Sequence, residues 1–254
     1  ICYSLMMNKV ELIPVQGLPS INPGDNLPLI ISQALEQNNL TLNQNDILVI
    51  AHKIVSISEK RLVNIQEVKA GKEANLMAKK CKKDPKLIQL ILDNAKDVLR
   101  INKDFLITRD FNGIVAANSG IDQSNYMQKD FAVLLPKNSN KSAKKISVDI
   151  KKSLNKDVSV IITDSVGRPW RNGLTQIALG SFGIPSIIRY KKDLYNRTLF
   201  DTDIPIVDEL CSTAGILMIK DKGIPVVIIR GYNYTFIKQG LRNIIRSEQN
   251  DIFK

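Results

Sequence analysis

The stretch Phe105-Leu106-Ile107-Thr108-Arg109-Asp110-Phe111-Asn112-Gly113-Ile114-Val115-Ala116-Ala117 decides the fold class. Two short apolar and β-branched runs, Phe105–Thr108 and Ile114–Ala117, flank the turn-forming Arg109–Gly113. That is the pattern of a β-hairpin, and so of antiparallel pairing. Further runs of the same kind predict strands at Val10–Val15, Ile47–Ala51, Ala132–Leu135, Val158–Thr163 and Val226–Arg230. Helices are expected between them. Leu27–Gln37 follows the turn Pro23-Gly24-Asp25, and Asp84-Pro85 opens a stripe of Leu87, Ile88, Ile91, Leu92, Ala95 and Leu99 at helical spacing. Ser142 opens another helix with Ile146, Ile150 and Leu154 inward. Pro205 opens a third with Ile206, Val207, Leu210, Ala214, Leu217 and Met218 inward, and Lys238–Phe253 is a last amphipathic stretch. No regular βαβ series and no internal repeat is present. The class is therefore α+β with mixed, largely antiparallel sheets, expected as a single domain over 1–254. The lysine-rich Lys137–Lys145 is the candidate loop or subdomain boundary.

With 254 residues, 44% of them hydrophobic and 24% charged, the chain is long and apolar enough to bury a core. That content excludes a disordered chain, and no apolar run approaches the ~20 residues of a membrane span. Ile1–Met7 lacks the basic-then-apolar pattern of a signal peptide, and Met6 or Met7 is the expected start. Cys2, Cys81 and Cys211 are too few and scattered for a disulfide framework, so a cytoplasmic protein is expected. The 36 basic against 25 acidic residues give a net charge of +11, carried by 26 Lys and 10 Arg beside 22 Asn. The lysines cluster (Lys79, Lys80, Lys82, Lys83; Lys144, Lys145, Lys151, Lys152) without interleaved aromatics for base stacking. A solvated surface explains them better than a nucleic-acid patch, and neither nucleic acid nor a membrane is the expected partner. The basic field would still draw in a polyphosphate.

Three segments break local rules of structure, where function tends to sit. Asn118-Ser119-Gly120-Ile121-Asp122-Gln123-Ser124-Asn125 is a polar loop after a strand, readable as an Asx-type turn or as a carboxylate presented at a strand end. Asp164-Ser165-Val166-Gly167-Arg168-Pro169-Trp170-Arg171-Asn172-Gly173 follows an apolar strand. Its carboxylate and hydroxyls suit an oxygen-ligated divalent ion, and Arg168 and Arg171 suit an anion; a tight turn with surface arginines is the bland alternative. The third, Leu217–Gly231, has a helix end, a Gly223 cap and Pro225, with Arg230 and Gly231 either scaffold or within reach of a ligand. No P-loop, G-x-G-x-x-G or G-x-S-x-G motif is present. With His52 the sole histidine, zinc chemistry and a His-based triad lose support; His52 itself reads equally as a polar strand-end residue or a nucleotide neighbour.

In order along the chain, GLPSINPGDNL (17–27), ILVIAHKIVSISEKR (47–61), NSGIDQSN (118–125), LLPKNSNKSA (134–143), VIITDSVGRPWRNGLTQIALG (160–180), KDLYNRTL (192–199), VDEL (207–210) and GIPVVIIRG (223–231) resemble the coenzyme F420-0:L-glutamate ligase (F420-0 gamma-glutamyl ligase) family. The GRPWR-x-G block and the GIDxSN loop are the specific parts. The resemblance implies the F420-0:gamma-glutamyl ligase-like fold, one catalytic domain, a homodimer, and GTP-dependent addition of L-glutamate to the terminal carboxylate of F420-0 through an acyl phosphate. Gamma-linked extension is allowed. It implies Mg2+ or Mn2+, two of them, with K+ as a further ion. By the same resemblance Asp122 and Asp164 hold one metal, and Ser165 joins a second. Leu18, Pro19, Ser20, Ile21, His52, Lys53, Asn125 and the segment Met218, Ile219, Lys220, Asp221, Lys222 and Gly223 contact the nucleotide. Asp164, Arg168 and Arg171 are the catalytic candidates, the arginines as contacts to phosphate or substrate carboxylate.

The chain departs from the pattern in places. Ile57 and Lys60 stand where the family has lysine and glycine, and Lys220 stands where an acid or amide joins the second metal, so that either the adjacent Asp221 takes over by a register shift or the second metal site is altered. These departures leave two alternatives beside the F420-0 ligase: a glutamate ligase for another acceptor such as a folate, and a non-catalytic nucleotide- or RNA-binding homologue.

Overall fold

The computed structural model describes residues 9–124, 128–200 and 202–251. At its centre lies a six-stranded sheet in the order β1 (Glu11–Pro14), β12 (Val226–Arg230), β2 (Ile47–Ala51), β8 (Ser159–Arg168), β9 (Arg171–Gly183) and β13 (Ile237–Gly240). Neighbours pair antiparallel except β2 and β8, which are parallel. The central runs read as continuously apolar because both sheet faces are covered. Leu48, Ile50, Val160, Ile162, Val226 and Ile228 pack with α1 (Leu27–Gln37) and α5 (Ser139–Leu154). Ile47, Val49, Ile161, Val227 and Ile229 pack on the other side with Val207, Leu210, Cys211 and Ala214 of α6 (Ile206–Gly215).

The founding hairpin forms as expected. β5 (Leu106–Arg109) pairs with β6 (Val115–Ala117), and β4 (Asp97–Ile101) completes a three-stranded antiparallel sheet. Its turn is closed by the buried Asp110 carboxylate, which accepts from the amides of Asn112 and Ile114 at 2.8 Å each. Two small sheets pair β3 (Leu62–Asn64) with β7 (Phe131–Val133), and β10 (Ile188–Arg189) with β11 (Asp203–Ile204). The remaining helices are α2 (His52–Ser58), α3 (Lys72–Cys81) and α4 (Pro85–Asp93). Among the described residues no helix is long and apolar enough to cross a membrane.

Several expectations are corrected. The stripe from Leu87 does not stay helical to Leu99: α4 stops at Asp93, Asn94 folds its amide back onto the Leu90 carbonyl, and Leu99 lies in β4, paired to β5. Lys137–Lys145 is not a loop, since α5 begins at Ser139 rather than Ser142, with the Asn138 side chain accepting from Lys141 N–H at 2.9 Å. Among the described residues, 238–251 do not form one helix, because 237–240 pairs along β9 and the Leu241 amide is held by Asn140 at 2.8 Å; 252 and 253 lie outside the described residues. Strand β8 does not end at Thr163 but runs on to Arg168, and β9 returns beside it, so the GRPWR block is the tip of a long two-stranded ribbon. Arg230 is engaged within the scaffold: it forks onto the buried Asp46 (Nε to Oδ1 3.0 Å, Nη2 to Oδ2 2.7 Å) and donates to the Thr41 carbonyl at 2.6 Å.

Contact between α5 and the sheet depends on Gly180, where an added Cβ would lie 2.4 Å from the Ser139 carbonyl carbon and 2.6 Å from the Asn140 nitrogen. Backbone cannot yield as a side-chain tip does. Gly180→Ala is expected to lower unfolding stability by about 1–3 kcal/mol, the usual range for overpacking, read as a reduced urea midpoint at unchanged m-value.

Candidate functional site

Topology brings four chain segments to one sheet edge. Because β2 and β8 run parallel with Ala51 opposite Thr163, the residues that follow each strand emerge together: His52 and Lys53 at the start of α2, Asp164 and Ser165 on β8. Antiparallel β12 starts at that edge, and the Ala51 amide donates to the Pro225 carbonyl at 2.8 Å. Segment 218–225 therefore arrives there as well, and β1, antiparallel to β12, delivers Leu18–Asn22. A cavity of about 510 Å³ opens between these segments, within the size range of small-molecule sites. Leu18, Ile21, Ile57, Met218 and Ile224 give it an apolar wall.

Asp122 enters from the far side, on an isolated bridge to Val133. The turn before it, Asn118-Ser119-Gly120, has three successive left-handed residues (φ 53°, 55° and 67°). Buried partners hold it: Ser119 N–H donates to Thr108 Oγ1 at 2.8 Å, Ser119 Oγ donates to the Ile91 carbonyl at 3.1 Å, and Asn118 Oδ1 accepts from Leu106 N–H at 3.1 Å. Asp122 Oδ2 meets Lys53 Nζ at 2.6 Å, while Oδ1 accepts from Ser124 N–H at 2.7 Å, so the Asx turn and the strand-end carboxylate are both present. Lys53 also donates to Ser124 Oγ at 3.0 Å. Burial pushes the Asp122 carboxyl up, but the Lys53 ammonium and the Ser124 donors outweigh it and hold the group below the usual aspartate range.

Asp164 Oδ1 lies 3.3 Å from His52 Nε2 and accepts from Ser165 N–H at 2.7 Å. His52 is buried, with Nδ1 3.4 Å from Ser56 Oγ. Asp164 Oδ2 has no protein partner among the described residues. Gln176 on β9 donates from Nε2 to Ser165 Oγ at 3.0 Å, and a register shift between Ile162 and Thr163 re-aims this end of β8.

Of the residues expected from sequence, Leu18, Pro19, Ser20, Ile21, His52, Lys53, Asp122, Asp164, Ser165, Met218, Ile219, Lys220 and Gly223 all line the cavity. Asp221 and Lys222 do not; the 3-10 turn Lys220–Lys222 leaves them exposed, so Lys220 and not Asp221 faces the site. Arg168 and Arg171 do not either. Arg168 lies four residues beyond Asp164, about 13 Å at strand rise, and both arginines are exposed at the ribbon tip around Trp170, which is 91% exposed. Asn125 lies outside the described residues. The Thr163 and Ser124 hydroxyls, from the two polar segments the sequence singles out, line the cavity too, whereas reasoning from sequence missed Gln176, whose place depends on strand register.

Among the described residues no three His, Cys, Asp or Glu side chains gather as a metal-holding group. The oxygen donors present (Asp164 Oδ2, the Ser165 hydroxyl, the Asp122 carboxylate) instead fit a hard divalent ion that keeps waters and completes its shell with a substrate's phosphates. Asp122 is the weaker donor, since Lys53 already occupies one oxygen.

A family model described as F420-0:Gamma-glutamyl ligase matches residues 17–231, a span that includes all four cavity segments. The chain is 42% identical over 249 residues to the Coenzyme F420:L-glutamate ligase of Methanocaldococcus jannaschii, covering 97% of each chain. It is 35% identical over 250 residues to that of Methanothermobacter thermautotrophicus, covering 96% of this chain and 99% of the relative.

Because the Asp122 carboxyl is depressed in the folded state, its pairing with Lys53 persists above the ordinary aspartate range near ~3.9 and is lost only as pH falls through the lower folded value. Lys53→Met removes the compensating cation and leaves burial unopposed by it. The Asp122 midpoint, followed by carboxyl-carbon NMR, is then expected to rise; an unmoved midpoint would refute the assignment of Lys53 as its partner.

Proposed function

The chain belongs to the F420-0:gamma-glutamyl ligase family, and from that membership we propose that it joins the amine of L-glutamate to the terminal carboxylate of coenzyme F420-0, with GTP as the activating co-substrate. The observation that carries this reading is the meeting of His52, Lys53, Asp122, Asp164 and Ser165 in one cavity, from strand ends far apart in sequence.

A carboxylate does not condense with an amine in water, because hydroxide is a poor leaving group and the carboxylate repels a nucleophile. Transfer of the γ-phosphoryl group to a carboxylate oxygen replaces that leaving group with phosphate. The glutamate amine then attacks the acyl carbon, the C–O bond to phosphate breaks, and the nitrogen loses a proton. Such a transfer asks the protein chiefly for positioning and for compensation of negative charge. The wall of Leu18, Ile21, Ile57 and Met218 offers an apolar seat for a purine, and Lys53 and Lys220 offer ammonium groups to a polyphosphate. His52, wedged between Asp164 and Ser56, fixes the direction of the Asp164 carboxylate. Asp164 and Ser165, with Asp122, would hold Mg2+ or Mn2+, which would supply positive charge to offset that on the transferred group. A homodimer and a cytoplasmic place are part of the same proposal.

Incubation with GTP, Mn2+, L-glutamate and F420-0 is expected to yield a product heavier by one glutamyl unit. Asp164→Asn should cut the rate at least about 100-fold, the usual loss when a group stabilising the transition state is removed, with little change in thermal unfolding because the isosteric amide can still accept from Ser165 N–H through its oxygen. Transfer to a folate but not to F420-0 would overturn the acceptor, and full turnover by the Asn variant would overturn the site.

A further inference from the structure

Gln176 has no place in the chemistry above, yet it is the partner of a residue that does. It stands directly across from Ser165 in the β8–β9 register, so the two side chains share a sheet face. Its amide spans two β8 hydroxyls: Nε2 donates to Ser165 Oγ at 3.0 Å, and Oε1 accepts from Thr163 Oγ1 at 3.1 Å. Thr163 is fully buried, and its one hydroxyl proton is shared between Gln176 Oε1 and the Ile177 carbonyl, which lies 2.7 Å from Oγ1. Helix α6 closes on the same residue from outside. Ser212 Oγ donates to the Gln176 carbonyl at 3.0 Å, and a Cβ on Gly215 would lie 2.7 Å from Gln176 Cγ. The glutamine therefore has both ends of its amide engaged and no room to swing toward α6.

We infer that Gln176 is a positioning residue that aims the Ser165 hydroxyl into the cavity, toward an oxygen of the bound polyphosphate. A serine hydroxyl has one proton and two lone pairs. With one lone pair filled by the Gln176 amide, the proton has no acceptor among the described residues, and Ser165 lies on the cavity wall. A hydroxyl fixed in this way presents a donor to whatever fills the cavity, and an anionic oxygen is the complement that strengthens it most. Without the amide the hydroxyl rotates freely and that donor is no longer pre-set. The inference rests on the proposed function only in taking a polyphosphate as the occupant.

The test is a double-substitution cycle read by calorimetric titration with inorganic tripolyphosphate, and separately with GTP, in the presence of Mg2+. Gln176→Met and Ser165→Ala are each expected to weaken tripolyphosphate by about tenfold, the lower range for a hydrogen bond to a charged group. The double variant should be within about twofold of Ser165→Ala alone, because the two residues act as one unit. Gly215→Ala alters no polar group and displaces Gln176 alone; it should weaken binding when Ser165 is present and have no effect once Ser165 is alanine. It also serves if Gln176→Met does not fold. Additive losses, or wild-type affinity in Gln176→Met, would overturn the inference, as would failure of the unaltered protein to bind either ligand. Coupled losses on tripolyphosphate in a protein that makes no glutamyl product would leave Gln176 in its role while the ligase reading fails. Normal ligation with additive losses would instead leave the ligase reading standing and remove Gln176 from its role.

Discussion

Parallel pairing of β2 with β8, Ile47 opposite Ser159 through Ala51 opposite Thr163, is the constraint on which the site depends. In an otherwise antiparallel sheet it is the pair that sends two chain directions out of the same edge. Ligands of open sheets with parallel strands lie beyond the carboxyl ends of those strands, and here the parallel pairing gives out just before His52-Lys53 and Asp164-Ser165. A register slip of one residue would turn each side chain to the opposite sheet face. The buried identity of Ile47, Val49 and Ile161 on one side, and of Leu48, Ile50, Val160 and Ile162 on the other, prevents that slip. Packing of the core thus sets the geometry of the candidate site.

The cavity's charges are arranged before any ligand arrives. Lys53 rests on Asp122 and His52 on Asp164, so each carboxylate is tethered to one of two consecutive residues. Lys220 has no carboxylate within ion-pair distance among the described residues and also lines the cavity. On the function proposed above, it would offer a polyphosphate a cation with no ion pair to give up. The Asp122 carboxyl, held low by its donors, stays ionised across the neutral range, and on the proposed function the pair would exchange partners with an anion and a cation that enter together. Neither charge would be left alone in a half-buried place, which is the expensive alternative.

Reading the sequence recovered what local chemistry specifies. Leu27–Gln37, Ile47–Ala51 and Val226–Arg230 stand at their expected bounds because apolar period and caps agree there. Long-range pairing was out of reach. Leu99 fits a helical stripe by spacing but stands in β4, at the irregularity where the pairing with β5 shifts register, and the pattern that begins at Lys238 is amphipathic yet its first residues serve β9 and Asn140. The site was legible to the extent that it lies at strand ends: the two aspartates, the histidine and the lysine share one cavity. The arginines of the GRPWR block lie outside it, since nothing in the sequence shows that β8 and β9 extend as a ribbon past the cavity before they turn. Gln176 was invisible for the converse reason: its role comes from a register, and a glutamine in a strand carries no signal of its own.

The position of Asp122 shows where the fold accepts strain in order to hold a functional group. Left-handed backbone is disfavoured for non-glycine residues by roughly 1–2 kcal/mol each, and Asn118 and Ser119 both adopt it just ahead of Gly120. Gly120 is itself confined, as a Cβ there would meet Leu135 at 2.8 Å. The compensation is buried and specific: Thr108, with no exposed surface, gives Ser119 both an acceptor and a hydroxyl partner at 3.0 Å. Thr108 lies in the very hairpin from which the fold class was read. The founding antiparallel turn and the strained polar loop are thus a single device, in which β5 supplies the hydrogen bonds that let a disfavoured turn deliver a carboxylate to Lys53.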